Sequence, residues 1–183
     1  MMKYAEKTVL MDRATAGRAV SRMAYEIVER NKGTENLAII GIQTKGAVLS
    51  RLLADRIGEI EGINVEVGSL DITFYRDDLT RLSEHPVVAG SDIAFSIEDK
   101  KIILTDDVLY SGRTIRAAME ELFDMGRPAK IELAVLVDRG GRELPIRADY
   151  VGREVLTSHE EYINTEINEN GIEKVSICGK GEK

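Results

Sequence analysis

Between Asp12 and Gly33 the apolar residues Ala16, Ala19, Val20, Met23, Ala24, Ile27 and Val28 recur three and four positions apart, which predicts an amphipathic helix with Asp12 as its N-cap. Leu37 to Ile42 is instead a short continuous apolar run. It leads through a tight loop, Gly41 to Gly46, into Ala47, Leu49, Leu52, Leu53 and Ile57, which return to helical spacing. Val65 to Phe74 reads as extended, and the polar stretch from about 75 to 92 has no period of its own, as in a lid or a partly ordered excursion. Ile102 to Thr105 predicts a buried strand, Asp106 to Gly112 a loop, Arg113 to Met125 a helix closed by Gly126-Arg127-Pro128, and Ile131 to Val137 a second buried strand.

Short apolar strands alternating with amphipathic helices indicate an α/β fold, a mostly parallel sheet covered by helices on both faces. Beyond Leu144 only shorter β-like pieces remain: Tyr150-Val151, Val155 to Thr157, Tyr162 to Ile167 and Val175 to Cys178, with an Asn170-Gly171 turn signal between the last two. They predict a small antiparallel element across or beside the sheet edge.

At 183 residues, 43% apolar and 31% charged, the chain is expected to be one globular domain, which excludes disordered, collagen-like and disulfide-scaffold classes. Cys178 is the single cysteine, and with only His85 and His159 beside it there is no zinc or iron-sulfur ligand set. No signal-peptide pattern and no apolar run near the roughly 20 residues of a membrane span is present, so the expectation is a soluble cytoplasmic protein without a membrane partner.

The net charge of -7 argues against a nucleic-acid partner only on average. Residues 1 to 60 hold ten Lys/Arg against seven Asp/Glu, whereas residues 61 to 100 hold three against nine and residues 154 to 183 three against seven. A basic face is therefore compatible with an acidic total.

Chemistry concentrates in residues 102 to 114. An apolar strand delivers Asp106 and Asp107 to its C-terminal end, where open α/β sheets bind ligands, and Tyr110-Ser111-Gly112-Arg113-Thr114 then opens a helix. Backbone N–H groups, hydroxyls and the positive end of a helix dipole bind phosphate, and a neighbouring carboxylate pair suits sugar hydroxyls and hydrated Mg²⁺. Asp-Asp alone would read as a turn or an N-cap, but the strand Ile102 to Thr105 before it and a Ser-Gly-Arg-Thr helix start after it point to a phosphorylated sugar.

Ile102 to Thr114 resembles the phosphoribosyl-pyrophosphate (PRPP) signature of type I phosphoribosyltransferases. Glu29-Arg30-Asn31-Lys32-Gly33, Asp71-Ile72-Thr73 with Tyr75 to Leu79, and Val137-Asp138-Arg139-Gly140 with Arg142 to Tyr150 resemble the bifunctional bacterial PyrR family. Its members are pyrimidine-operon attenuators that are also uracil phosphoribosyltransferases, and the resemblance covers about residues 8 to 160.

The resemblance implies a single type I phosphoribosyltransferase domain over residues 1 to 183, with a hood from about 140 to 183 and the N-terminal segment, and a lid over about 75 to 92. It implies the reaction of uracil with PRPP to give UMP and diphosphate, with Mg²⁺. Asp106 and Asp107 would contact the ribose and the metal shell, Val108, Leu109, Tyr110, Ser111, Gly112, Arg113 and Thr114 would cradle the 5-phosphate, and Thr44-Lys45-Gly46 would meet the pyrophosphate. Arg76 would close over the pyrophosphate as the lid cation, while Asp77 and Asp78 read equally as Mg²⁺ attendants or loop solvation. Val137, Asp138, Arg139, Tyr150 and Val151 would lie over the base, although Tyr150 reads equally as a half-buried core aromatic.

On the first helix Arg18, Ser21, Arg22, Tyr25 and Arg30, together with Arg142, would bind a hairpin of pyrimidine-operon leader mRNA in a UMP/UTP-responsive homodimer or higher oligomer. Taken alone that helix face is ordinary solvation. The sequence departs from common family residues at Lys45, where Arg is frequent, and at Tyr25 and Gly141, where His is frequent. An alternative is a transferase for another base, such as a purine, without an RNA role.

Overall fold

The computed structural model describes residues 4–75 and 90–180. Arg76, Asp77, Asp78 and His85, with all but the ends of the expected lid segment, lie outside the described residues.

A five-stranded, wholly parallel sheet is built from β2 (Leu37–Ile42), β3 (Glu66–Leu70), β4 (Lys101–Leu109), β5 (Lys130–Asp138) and β6 (Tyr150–Glu154), in the order β3-β2-β4-β5-β6. Helices α1 (Arg13–Asn31) and α2 (Lys45–Glu61) cover one face and α3 (Arg113–Met125) the other. Strand alternation divides the core accordingly. Ile39, Ile103, Ala134 and Leu136 pack with α1 and α2, while Ala38, Ile40, Ile102, Leu104, Leu133 and Val135 pack with α3.

A second, antiparallel sheet has the order β1-β8-β7, from β1 (Tyr4–Asp12), β7 (Tyr162–Asn168) and β8 (Gly171–Lys180). Its Met11, Ile172 and Val175 join the core of the α1–α2 face. The turn at Asn170-Gly171 is where the sequence predicts it. β1 has no counterpart in the sequence reading, because most of its side chains are exposed and only backbone pairing with β8 makes it a strand.

Two further differences concern strand ends. β4 continues through Asp106 to Leu109, where a loop is expected from the loss of apolar residues. The ladder to β5 persists, pairing Asp106 with Val135 and Val108 with Val137, because backbone hydrogen bonding does not depend on side-chain polarity. β6 ends at Glu154, so Val155 to Thr157 is not a strand. Among the described residues no helix is long and apolar enough to cross a membrane.

The C-terminal half of α1 is tied to the sheet by a buried polar cluster. Asn31 donates from Nδ2 to Glu132 Oε2 at 2.8 Å and to Ile27 O at 3.0 Å, and the Tyr150 hydroxyl donates to Glu132 Oε2 at 2.9 Å. Burial and the Glu132 carboxylate hold the Tyr150 phenol well above its ordinary pKa. Of the two readings given for Tyr150, its placement fits the core aromatic. Its ring is 2% exposed, sits opposite Ala134 rather than at the sheet's C-terminal edge, and serves the core.

Tyr150→Phe removes that hydrogen bond from a buried carboxylate and is expected to cost about 1–2 kcal/mol of folding stability. Urea unfolding measures it, and an unchanged midpoint would show that the hydroxyl carries no net stabilisation.

Candidate functional site

The parallel strands end together at one edge, and β4 reaches it carrying Asp106 and Asp107. Only Gln43 and Thr44 separate β2 from α2, and their peptide bond is cis. The first turn of α2 is pressed onto β4. A Cβ on Gly46 would stand 2.4 Å from the Thr105 carbonyl oxygen, and the Thr105 hydroxyl donates to Gly46 O at 2.8 Å, so glycine alone fits here.

This approach brings Lys45 over the carboxylates. Lys45 Nζ lies 3.7 Å from Asp107 Oδ2 and donates to Thr165 Oγ1 at 2.8 Å, while the Thr165 hydroxyl donates to that same Asp107 oxygen. Asp107 Oδ1 accepts from Val108 N at 3.0 Å. Asp106 is 9% exposed; burial first, and the adjacent Asp107 second, push its carboxyl well above the usual range. Asp106 is thereby favoured in its neutral form, while Asp107 accepts hydrogen bonds at both of its oxygens.

Thr165 escapes the sequence reading. It lies in a predicted strand piece with no local mark of function, and only the placement of β7 against α2 brings it to the carboxylates.

Five residues beyond Asp107, at its N-cap Gly112, the chain enters α3. The first N–H groups of a helix have no partner within it, and they face the region where an anion gains from the dipole. Arg113 N donates to the Ser111 hydroxyl oxygen at 3.3 Å, and Ser111 O accepts from Glu143 N and Leu144 N, which fixes the loop. Arg113 is paired with Glu143 at 2.6 Å.

The loop after β5 lies beside this turn. Val137 is buried, and Asp138, at the sheet edge level with Leu109, accepts from Gly140 N at 3.0 Å. Arg139, expected to donate to a base, is 7% exposed and hydrogen-bonds Thr157 Oγ1 and the carbonyls of Ser158 and Glu161, its guanidinium 4.1 Å over the Tyr110 ring. Tyr110 Oη is 3.0 Å from His159 Nδ1. Val151 gives its carbonyl to Arg22 at 3.0 Å and packs against the α3-side core.

Arg142, expected in an RNA surface, donates to Tyr110 O, Gly140 O and Ile146 O and pairs with Asp138, which braces the loop. Gly141 has φ +73°, and a Cβ there would lie 2.1 Å from the Tyr110 ring, which explains the absence of a side chain at this position. Arg30 pairs with Asp149 at 3.0 Å and with Glu132 at 3.6 Å.

The remaining basic residues gather on α1. Arg18 and Arg22, with Thr15, Gly152 and Arg153, line a groove of about 330 Å³, and Tyr25 is 60% exposed nearby on the same helix. Ser21 turns its hydroxyl onto Gly17 O. Arg153, on β6, is absent from the sequence reading, since it is more than 120 positions from the basic residues of the first helix and only strand placement brings it there.

The raised Asp106 carboxyl has a consequence for stability. From the ordinary carboxylate range near pH 4 upward, the unfolded chain releases a proton that the folded protein retains, so this group's contribution falls with rising pH until its own folded pKa. Asp106→Asn removes that loss. Its Tm is expected to exceed the unsubstituted protein's near pH 8 and to converge with it near pH 4. Calorimetry across that range measures the difference, and a Tm that is no higher at pH 8 would contradict the assigned protonation.

The phosphoribosyl transferase domain family matches residues 10–169. The bifunctional protein PyrR of Bacillus mycoides is 57% identical over 178 residues, covering 96% of this chain and 99% of the relative, and that of Acetivibrio thermocellus is 54% identical over 173 residues, covering 94% of each. The crystal structure of the hypoxanthine phosphoribosyltransferase of Trypanosoma cruzi superposes with a TM-score of 0.71 at 16% identity, covering 96% of this chain and 98% of that one. A hypoxanthine-guanine phosphoribosyltransferase from Bacillus anthracis gives 0.70 at 19%, covering 96% and 99%. The two structures establish the type I phosphoribosyltransferase fold, and the near-full-length identity to the first two proteins is more specific. The chain belongs to the phosphoribosyl transferase domain family and, within it, to the bifunctional PyrR proteins.

Proposed function

We propose that the protein transfers the phosphoribosyl group of PRPP to uracil, giving UMP and diphosphate, and that it binds a pyrimidine-operon leader hairpin in response to UMP and UTP. The observation that carries the enzyme reading is the Asp106–Asp107 pair at the end of β4, with Lys45 3.7 Å from Asp107 and the start of α3 a few residues on. Carboxylates accept from ribose hydroxyls, a helix start holds the 5-phosphate, and Lys45 offsets charge on departing pyrophosphate.

In the transfer the bond from C1 to the pyrophosphate oxygen breaks while one from the base nitrogen forms, and the nitrogen's proton leaves. Among the described residues no three His, Cys, Asp or Glu side chains form a metal cluster. Asp107, with Asp106 beside it, offers hard oxygen donors that would suit Mg²⁺ arriving with PRPP. The bound ion would neutralise charge on the pyrophosphate. Arg76, outside the described residues, remains proposed as the lid cation, and Val108 to Thr114 as the 5-phosphate cradle.

Identity to proteins named PyrR supports a pyrimidine over the purine alternative, for which the hypoxanthine transferases offer likeness of fold alone. Val137 and Asp138 are the retained candidates beside the base. For RNA, the groove with Arg18, Arg22 and Arg153 supports structure-specific contact, with Tyr25 available to stack on an unpaired base. The family resemblance also underlies the reading of a cytoplasmic homo-oligomer.

Asp107→Ala is expected to lower UMP formation roughly a hundredfold or more. A panel of uracil, hypoxanthine, guanine, adenine and orotate with PRPP and Mg²⁺ checks the base, and turnover of a purine in preference to uracil would overturn the assignment.

Arg18→Ala combined with Arg153→Ala is expected to weaken leader-hairpin binding about tenfold or more at moderate salt while UMP formation persists. Gel shifts with and without UMP measure it, and unchanged binding would remove this groove from the RNA surface.

A further inference from the structure

We infer that Thr165 is a positioning residue for PRPP, setting through its hydroxyl the separation of Lys45 from Asp107. The inference rests on the transferase reading above.

Thr165 sits in the middle of β7, opposite Val175 of β8, and is 3% exposed. Its hydroxyl has one proton and two lone pairs. An ammonium can only donate, so the 2.8 Å contact with Lys45 Nζ makes Thr165 the acceptor, and its single proton is left for Asp107 Oδ2. At 3.7 Å, Lys45 and Asp107 are too far apart for a direct hydrogen bond. The hydroxyl therefore occupies the place where the two charges would otherwise close on each other.

The three residues come from three elements, α2, β4 and β7, and from both sheets. The Lys45 side chain is 42% exposed and that of Asp107 19%, so the pair opens toward arriving substrate while Thr165 stays behind it. Asp107 cannot turn freely, because its other oxygen accepts from Val108 N. Without the hydroxyl, the Lys45 ammonium is drawn onto Asp107, which neutralises both groups against each other. The cation leaves the pyrophosphate side and the carboxylate loses capacity for ribose hydroxyls.

Thr165→Val keeps the shape and removes the hydroxyl, and Thr165→Ser keeps the hydroxyl. For Thr165→Val the KM for PRPP is expected to rise about tenfold, the size of losing a hydrogen bond to a charged group, with KM for uracil unchanged and kcat affected less. Thr165→Ser restores the PRPP KM. In a Lys45→Met background, Thr165→Val has little further effect, since the residue acts through Lys45. A merely structural role would shift Tm and both KM values together.

A wild-type PRPP KM in Thr165→Val, failure of Thr165→Ser to rescue, or an undiminished effect in the Lys45→Met background each overturns the inference. Absence of UMP formation by the unsubstituted protein overturns the transferase reading instead. In that case calorimetric titration of the same variants with PRPP and Mg²⁺ still decides the role of Thr165, an unchanged affinity in Thr165→Val counting against it.

Discussion

Asp106 and Asp107 are neighbours in sequence, both withdrawn from water to different degrees, and two ionised carboxylates so placed repel each other. The fold resolves this asymmetrically. Asp106 is buried and favours its proton, while Asp107 is surrounded by donors: Val108 N, the Thr165 hydroxyl and, through it, Lys45. Each donor requires a larger arrangement. Lys45 reaches the pair only because Gly46 lets α2 touch β4, and Thr165 only because β7 is held against α2 by β8 and β1. The small sheet is thus part of the electrostatics of the large one.

A second theme is the use of arginine to gather backbone carbonyls. Arg139, Arg142 and Arg22 read as surface charge in a residue count, yet each spends several donors on backbone carbonyls. A planar guanidinium with five donors can gather carbonyls that no helix or sheet satisfies, which suits the irregular segments around 138–147 and 157–161. Gly141 belongs to the same construction, since a side chain there would displace the Tyr110 ring over which Arg139 lies. Arg18 and Arg153 share a groove with Arg22 beside α1.

Much of this was legible in the sequence, for a physical reason in each case. Seven apolar positions between Ala16 and Val28 describe α1 because burial of one helical face has a period of its own, and Leu37 to Ile42 describes β2 because a parallel strand is apolar on both sides. The carboxylate pair followed by a Ser-Gly-Arg-Thr helix start is local chemistry, so it too could be read directly. β1 could not, since its strand state comes from pairing with β8, more than 160 residues away. Nor could the continuation of β4 beyond Thr105, where polarity changes but the ladder does not.

The chain by itself determined the fold class and its membership of a family, because periodicity and contiguous motifs are properties of neighbouring residues. Only the tertiary structure decided which of the candidate side chains are available for chemistry. Tyr150, Arg139 and Arg142 were committed to the interior or to loop carbonyls, and Thr165 and Arg153 were brought to sites with which they share no local sequence signal. A side chain's donors and charge are spent on whatever lies within a few ångströms, and that neighbourhood is set by packing between segments distant along the chain.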